Sequence, residues 1–133
     1  MKALCAREDR MTPRTALTLL LLTVGCGELG LTTFNATPEA TITWPAPDAV
    51  VHPGVTTLLG RVTDLDDAVD ELRVAWSVDG QPACEPAPPD ADGRVACDVD
   101  LRHAEDPQTI TLMVCDPELA WVRDRLNVDV QNP

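Results

Sequence analysis

In the stretch Leu72-Arg73-Val74-Ala75-Trp76-Ser77-Val78-Asp79-Gly80, Leu72, Val74, Trp76 and Val78 fall on one side of an extended chain. Arg73, Ala75 and Ser77 fall on the other. A period of two predicts a half-buried strand, since a helix would repeat its apolar positions every three to four residues. The pattern stops at Asp79-Gly80, where glycine supplies the positive φ that a two-residue hairpin turn requires. The chain is therefore expected to reverse there into a short strand around Pro82–Glu85.

The same period extends in both directions. Upstream, Thr56, Leu58, Gly60 and Val62 share one face of a strand, and Ala40, Ile42 and Trp44 alternate in an earlier one. Downstream, the proline-rich loop Pro86–Gly93 leads into Val95, Cys97, Val99 and Leu101. Ile110, Leu112 and Val114 follow, and then Val122, Leu126, Val128 and Val130. Strands recurring about every ten residues between turn residues predict an all-β, seven-stranded antiparallel sandwich over residues 39–131.

Within this span lie Gly60-Arg61-Val62-Thr63-Asp64, Val74-Ala75-Trp76, Asp90-Ala91-Asp92-Gly93 and Ile110-Thr111-Leu112-Met113-Val114-Cys115-Asp116-Pro117. On these residues the chain resembles the bacterial immunoglobulin-like and PKD-like (cadherin-like) modules of surface and secreted proteins. The resemblance implies that Trp76 packs between two sheets.

The beginning of the chain has a different grammar. Arg14 precedes the uncharged run Thr15–Gly25, which is too short to span a bilayer and ends in small residues before Cys26. Leu22-Thr23-Val24-Gly25-Cys26 resembles a bacterial lipobox, in which the thiol receives diacylglycerol and the chain is cut before it. Residues 1–25 are then a signal peptide, with translation starting at Met1 or at Met11. Residues 26–38 are a lipidated cysteine and a flexible tether. Gly27 after the cysteine, by the same resemblance, favours the outer membrane. The lipid chains hold through their buried methylenes, each contributing about 0.8 kcal/mol, so the protein is expected to be tethered to the membrane without spanning it.

The net charge of −12 argues against nucleic acid as a partner, since phosphates would be repelled. Removal of the signal peptide would make the chain more acidic still, because Lys2, Arg7, Arg10 and Arg14 leave with only Glu8 and Asp9. With Cys5 removed and Cys26 lipidated, Cys84, Cys97 and Cys115 remain in an oxidising compartment. Cys84 and Cys97 fall on consecutive strands of an expected hairpin and are read as a disulfide, with Cys115 free. A zinc site has no basis, because there is no Cys-x-x-Cys and His52 and His103 are isolated.

Strand order predicts that the loops Asp64–Glu71, Pro89–Gly93 and Asp116–Glu118 meet at one end of the sandwich. Asp124 shares the inward phase of Val122 and Leu126, where a carboxylate needs hydrogen-bond donors or a cation. Ca²⁺ takes six to eight oxygens and suits flexible acidic loops. Asp64, Asp66, Asp116 and Asp124 are the expected ligands, with Asp67 and Glu118 next. The alternative is that the loop carboxylates are turn and solubility residues and that Asp124 bonds backbone amides or a neighbouring arginine.

Catalysis is not expected. There is no Gly-x-Ser-x-Gly, Asp-Thr-Gly, phosphate loop or His-Glu-x-x-His. Two non-enzymatic readings remain: a binding or adhesion module for a protein or glycan ligand, and a structural or assembly subunit of an envelope or secretion complex.

Overall fold

Alternation leaves each long strand with one apolar side, and the domain buries those sides against one another as two layers. The computed structural model describes residues 34–133 together with Cys5. The strands are β1 (Glu39–Trp44), β2 (Ala49–Val51), β3 (Gly54–Thr63), β4 (Arg73–Val78), β5 (Gln81–Pro82), β6 (Arg94–Leu101), β7 (Gln108–Cys115) and β8 (Trp121–Val130). A single 3-10 turn covers Val69–Glu71. One sheet has the order β1-β3-β6 and the other β2-β8-β7-β4-β5.

Two features depart from the expected seven antiparallel strands. β2 is an additional three-residue strand, and it pairs in parallel with β8, Ala49 opposite Val128 and Val51 opposite Val130. The chain thus changes sheets between β1 and β2. Just before this change the β1–β3 register shifts between Ile42 and Trp44. Ile42 stays in the core, whereas Trp44 is 49% exposed rather than inward as its phase predicted. A bulge inserts one residue and re-aims the side chain that follows it.

The core matches the apolar phases. Leu58 and Val62 of β3 and Val95, Cys97, Val99 and Leu101 of β6 face Val74 and Trp76 of β4, Ile110, Leu112 and Val114 of β7, and Leu126, Val128 and Val130 of β8. Fully burying one such leucine or isoleucine side chain contributes about 1.5–3 kcal/mol. Trp76 is buried in this cluster, as the resemblance implied. Gly60 also points inward, where a Cβ would lie 2.7 Å from Cδ2 of Leu112. The expected hairpin turn forms at Asp79-Gly80, both at positive φ, and Ser77 and Val78 pair with Pro82 and Gln81. The Asp79 carboxylate accepts the Thr109 N–H at 2.8 Å, fixing the turn to β7.

Cys84 and Cys97 form the expected disulfide, but not across a hairpin. Cys84 follows β5 of the five-stranded sheet and Cys97 lies in β6 of the other, so the bond ties the two sheets together. In the uncleaved chain Cys115 is not free but joined to Cys5, a partner that cutting before Cys26 would remove. Its position on β7 does face away from the core, as its phase required, yet it is buried. Cys26 and the rest of the expected signal peptide and early tether lie outside the described residues. No helix of the described residues is long and apolar enough to cross a membrane.

Candidate functional site at the acidic end

Antiparallel pairing carries the end of β3 and the end of β7 to the same pole of the sandwich. Thr63 at the end of β3 lies opposite Glu39 at the start of β1, and Cys115 at the end of β7 lies opposite Arg73 and Trp121. The loop following β3 and the turn following β7 therefore meet. Their carboxylates form two groups that share Asp67. Asp64, Asp66 and Asp67 make one, and Asp67, Asp116 and Glu118 the other, each with oxygens lying within 4.8 Å of one another.

Local hydrogen bonding explains the shape of the loop. Asp64 Oδ1 accepts the N–H groups of Asp66 at 3.0 Å and Asp67 at 3.4 Å, an Asx-type turn that folds the chain back on itself. Asp116 is buried. Its Oδ1 accepts the Ala120 N–H at 2.8 Å and closes the β7–β8 turn, and its Oδ2 accepts from the Asn35 side-chain amide at 2.8 Å. Both oxygens of Asp66 accept the Ala36 N–H, at 3.2 and 3.1 Å. The segment expected to be a free tether through residue 38 is thus held to the acidic end from Asn35 onward, and Pro38 is buried.

The electrostatics single out Asp67. Desolvation, then the charges of Glu118, Asp64, Asp66 and Asp116, push its carboxyl up to about 6. Burial also raises the Asp64 carboxyl, but the N–H groups of Asp66, Asp67 and Leu65 and the Asp66 side chain together outweigh it and hold Asp64 below its ordinary value. Asp64 Oδ2 and Asp67 Oδ2 are shielded from solvent without a hydrogen-bond partner among the described residues. These are oxygens a hard cation could take.

Of the expected ligands, Asp64, Asp66 and Asp116 come together, as do the second choices Asp67 and Glu118. Asp124 does not. It lies midway along β8 opposite Leu112, and its Oδ2 accepts the Ile42 N–H at 2.7 Å while Oδ1 accepts the Arg125 N–H. Its inward carboxylate is satisfied by backbone donors, the alternative that the sequence left open. The Pro89–Gly93 loop reaches the same pole, where the Gly93 carbonyl accepts the Val62 N–H. Asp90 there caps its own turn through the N–H groups of Asp92 and Arg94. Asn35 was missed as a site residue, because nothing in its own stretch points to Asp116, 81 residues away.

No protein-family model matches the chain, and no curated protein matches it. Among solved structures, a chimeric titin Z1Z2 carrying an exogenous peptide from decorin is similar over 76% of this chain and 100% of that one, with 18% identity and a TM-score of 0.50. An engineered protein is similar over 71% of this chain at 20% identity and a TM-score of 0.46, and this chain spans only 20% of its length. The titin likeness shows an immunoglobulin-like β fold and nothing of function.

Proposed function

We propose that the chain is a membrane-anchored envelope lipoprotein, held through Cys26 at the outer membrane, whose immunoglobulin-like domain is a non-catalytic binding or adhesion module with calcium at its acidic end. The observation that carries this reading is the meeting of tether and carboxylates. Asn35 and Ala36, which lead from the anchor, hydrogen-bond to Asp116 and Asp66 of the acidic cluster. A divalent cation held by Asp64, Asp66, Asp67, Asp116 and Glu118 would offset the desolvation and the mutual repulsion that raise Asp67 and supply a partner to the two orphan oxygens. It would also stiffen the joint between anchor and domain. Short turns at the site leave little wall for a catalytic cleft, which suits a module that binds.

Two measurements on the full-length chain test this. Saturating calcium, at about 100 times the dissociation constant, should stabilise the fold by about 2.7 kcal/mol and raise the melting temperature by several degrees over chelator. Asp67→Asn should abolish the shift, and an unchanged melt in wild type would remove the cation from the proposal. In a bacterial host, labelled palmitate should enter the protein and be lost with Cys26→Ser. Absence of label from wild type would remove the anchor.

A further inference from the structure

Residues 49–60 include no aspartate, glutamate, lysine or arginine, in a chain that is 24% charged. They hold β2 and the first part of β3, and both are open along one side. β2 ends its sheet beside β8. β1 pairs with β3 only from Leu59 to Thr63, because the chain then crosses to the other sheet. Residues 54–58 therefore have β6 on one side and no strand on the other among the described residues. Exposed edges are commonly guarded by charged side chains, and this one is not. The Val51 carbonyl accepts the Gln131 N–H at the β8 side, and the Val62 N–H donates to the Gly93 carbonyl at the β6 side. Backbone groups alternate sides along a strand, so those of Val50, Val55 and Thr57 are turned to the open sides.

A groove of about 700 Å³ is lined from β2 and from the start of β3. Four apolar side chains on it, Trp44, Val50, Val55 and Leu59, are 49%, 56%, 76% and 42% exposed, so the groove is open to solvent. Val51 and Thr56 are its more sheltered members. The bulge between Ile42 and Trp44 is what turns the Trp44 ring onto this lining. All of the described lining lies after the expected cleavage site. His52 is the one ionisable group on it, and its Nδ1 donates to the Gln131 carbonyl at 3.2 Å. The charges placed around the groove are mostly acidic. Asp98 and Asp100 lie across β3, opposite Thr57 and Val55, Asp129 pairs with Val50, and Asp48 precedes β2. Thr57 Oγ1 donates to Asp98 at 2.6 Å. Of the cations, Arg102 is 3.7 Å from Asp100, and Arg61 follows Leu59 toward the acidic pole.

We propose that this groove takes an extended segment of a basic partner protein as an added strand along the open edge of β3. Its apolar side chains turn into the groove, and its basic ones lie on the outer face that carries Asp98 and Asp100. In strand addition the main-chain bonds give affinity and the pockets for alternate side chains give specificity. The unpaired N–H and C=O groups of Val50, Val55 and Thr57 ask for another backbone, which a glycan lacks. A second copy of this chain would bring a further net charge of −12 against acidic surroundings. β3 ends at the acidic pole with Thr63, so the groove opens at the opposite pole, away from the anchor. The inference deepens the reading of the domain as a binding module by naming its edge and ligand class, and it rests on that reading.

The test is calorimetric titration of the full-length chain with four probes: an acetylated, amidated peptide of three Val-Lys repeats, its Val-Glu counterpart, the Val-Lys peptide N-methylated at alternate residues, and chitotetraose. The Val-Lys peptide should bind, more weakly as salt rises, and slow the amide hydrogen exchange of Val55 and Thr57. N-methylation, which removes the donors of one edge, should weaken it at least about tenfold. Val50→Lys with Val55→Lys should do the same. Leu65→Lys with Leu119→Lys, the same change of charge at the acidic pole, should leave binding nearly unchanged. All four positions are exposed, and an unchanged melting temperature establishes that each variant is folded. The N-methylated probe needs no variant at all. Failure of the Val-Lys peptide to bind, equal binding of Val-Glu or of the N-methylated peptide, indifference to the Val50 and Val55 changes, or tighter binding of chitotetraose would each overturn the proposal. So would a dimer in sedimentation that Val55→Lys dissociates, which would give the groove to a second copy. Palmitate labelling and the calcium melt are read separately, so the groove can fail while the anchored module stands.

Discussion

Asp124 Oδ2 lies 2.7 Å from the backbone nitrogen of Ile42, joining residues 82 apart in sequence. The bond connects β8 of one sheet to β1 of the other at the margin where the two layers meet. A backbone donor that would otherwise face the edge of the core is paired there with a charged acceptor. Asp124→Ala should cost about 1–3 kcal/mol, read as a lower urea midpoint at unchanged slope. Asp124→Asn, which keeps an acceptor oxygen, should recover part of the loss. A neutral Asp124→Ala would show that the bond contributes nothing to stability.

The acidic end should make stability rise on mild acidification. Asp67 has a folded pKa of about 6, above its ordinary 3.8, so the folded state binds its proton more tightly than the unfolded state does. Its contribution is complete below pH 3.8 and disappears as pH rises through about 6. Chelated protein should therefore melt higher at pH 5 than at pH 7, and Asp67→Asn should flatten that interval. Asp64 has the opposite sign: its lowered pKa contributes stability that is lost as pH falls below the ordinary carboxylate range. An unchanged wild-type melt between pH 7 and pH 5 would contradict the Asp67 account.

Gly60 is held to glycine by space. A Cβ there would lie 2.7 Å from Leu112 Cδ2, 3.0 Å from Val95 Cγ2 and 3.2 Å from the Thr41 carbonyl oxygen. Gly60→Ala should destabilise the domain by about 1–3 kcal/mol, the range for overpacking a filled core. Gly80→Ala is a useful contrast, since its Cβ would meet nothing within 4 Å and only its φ of +79° is unfavourable. Equal stability of Gly60→Ala and wild type in chemical denaturation would refute the packing argument.

The Cys84–Cys97 bond closes a loop with a sequence separation of 13. In the chain-entropy model it should stabilise the fold by about 3 kcal/mol. Because it links the two sheets, Cys84→Ala with Cys97→Ala should lower the melting temperature clearly without changing the far-ultraviolet strand signal at room temperature. Melting at the wild-type temperature would show that the bond adds no stability.

The strands that bury one face were readable from the sequence because their period is unambiguous. Val95, Cys97, Val99 and Leu101 are all buried, and the residues between them are all exposed. β2 escaped detection because three residues, Ala49-Val50-Val51, show no period, and the prolines at 45, 47 and 53 around them read as loop. Its parallel partner is 79 positions away. The inward phase of Asp124 was legible, but its donor was not, since a backbone N–H leaves no mark in sequence. At the acidic end the loops were located correctly, whereas the central place of Asp67 depends on distances between loops. The Cys5–Cys115 bond had no local signal: Cys5 stands in a segment with the composition of a leader.

β1 starts at the acidic pole, and β8 runs from that pole to the other. β2 follows β1 and lies parallel to β8 through three facing pairs, Ala49–Val128, Val50–Asp129 and Val51–Val130. A pull between the amino-terminal entry at the acidic pole and the carboxyl end would slide β2 lengthwise against β8, loading those rungs together. Unzipping them one at a time would need a force across the strands. The small strand that the sequence concealed is thus placed as a shear clamp between the two ends of the domain.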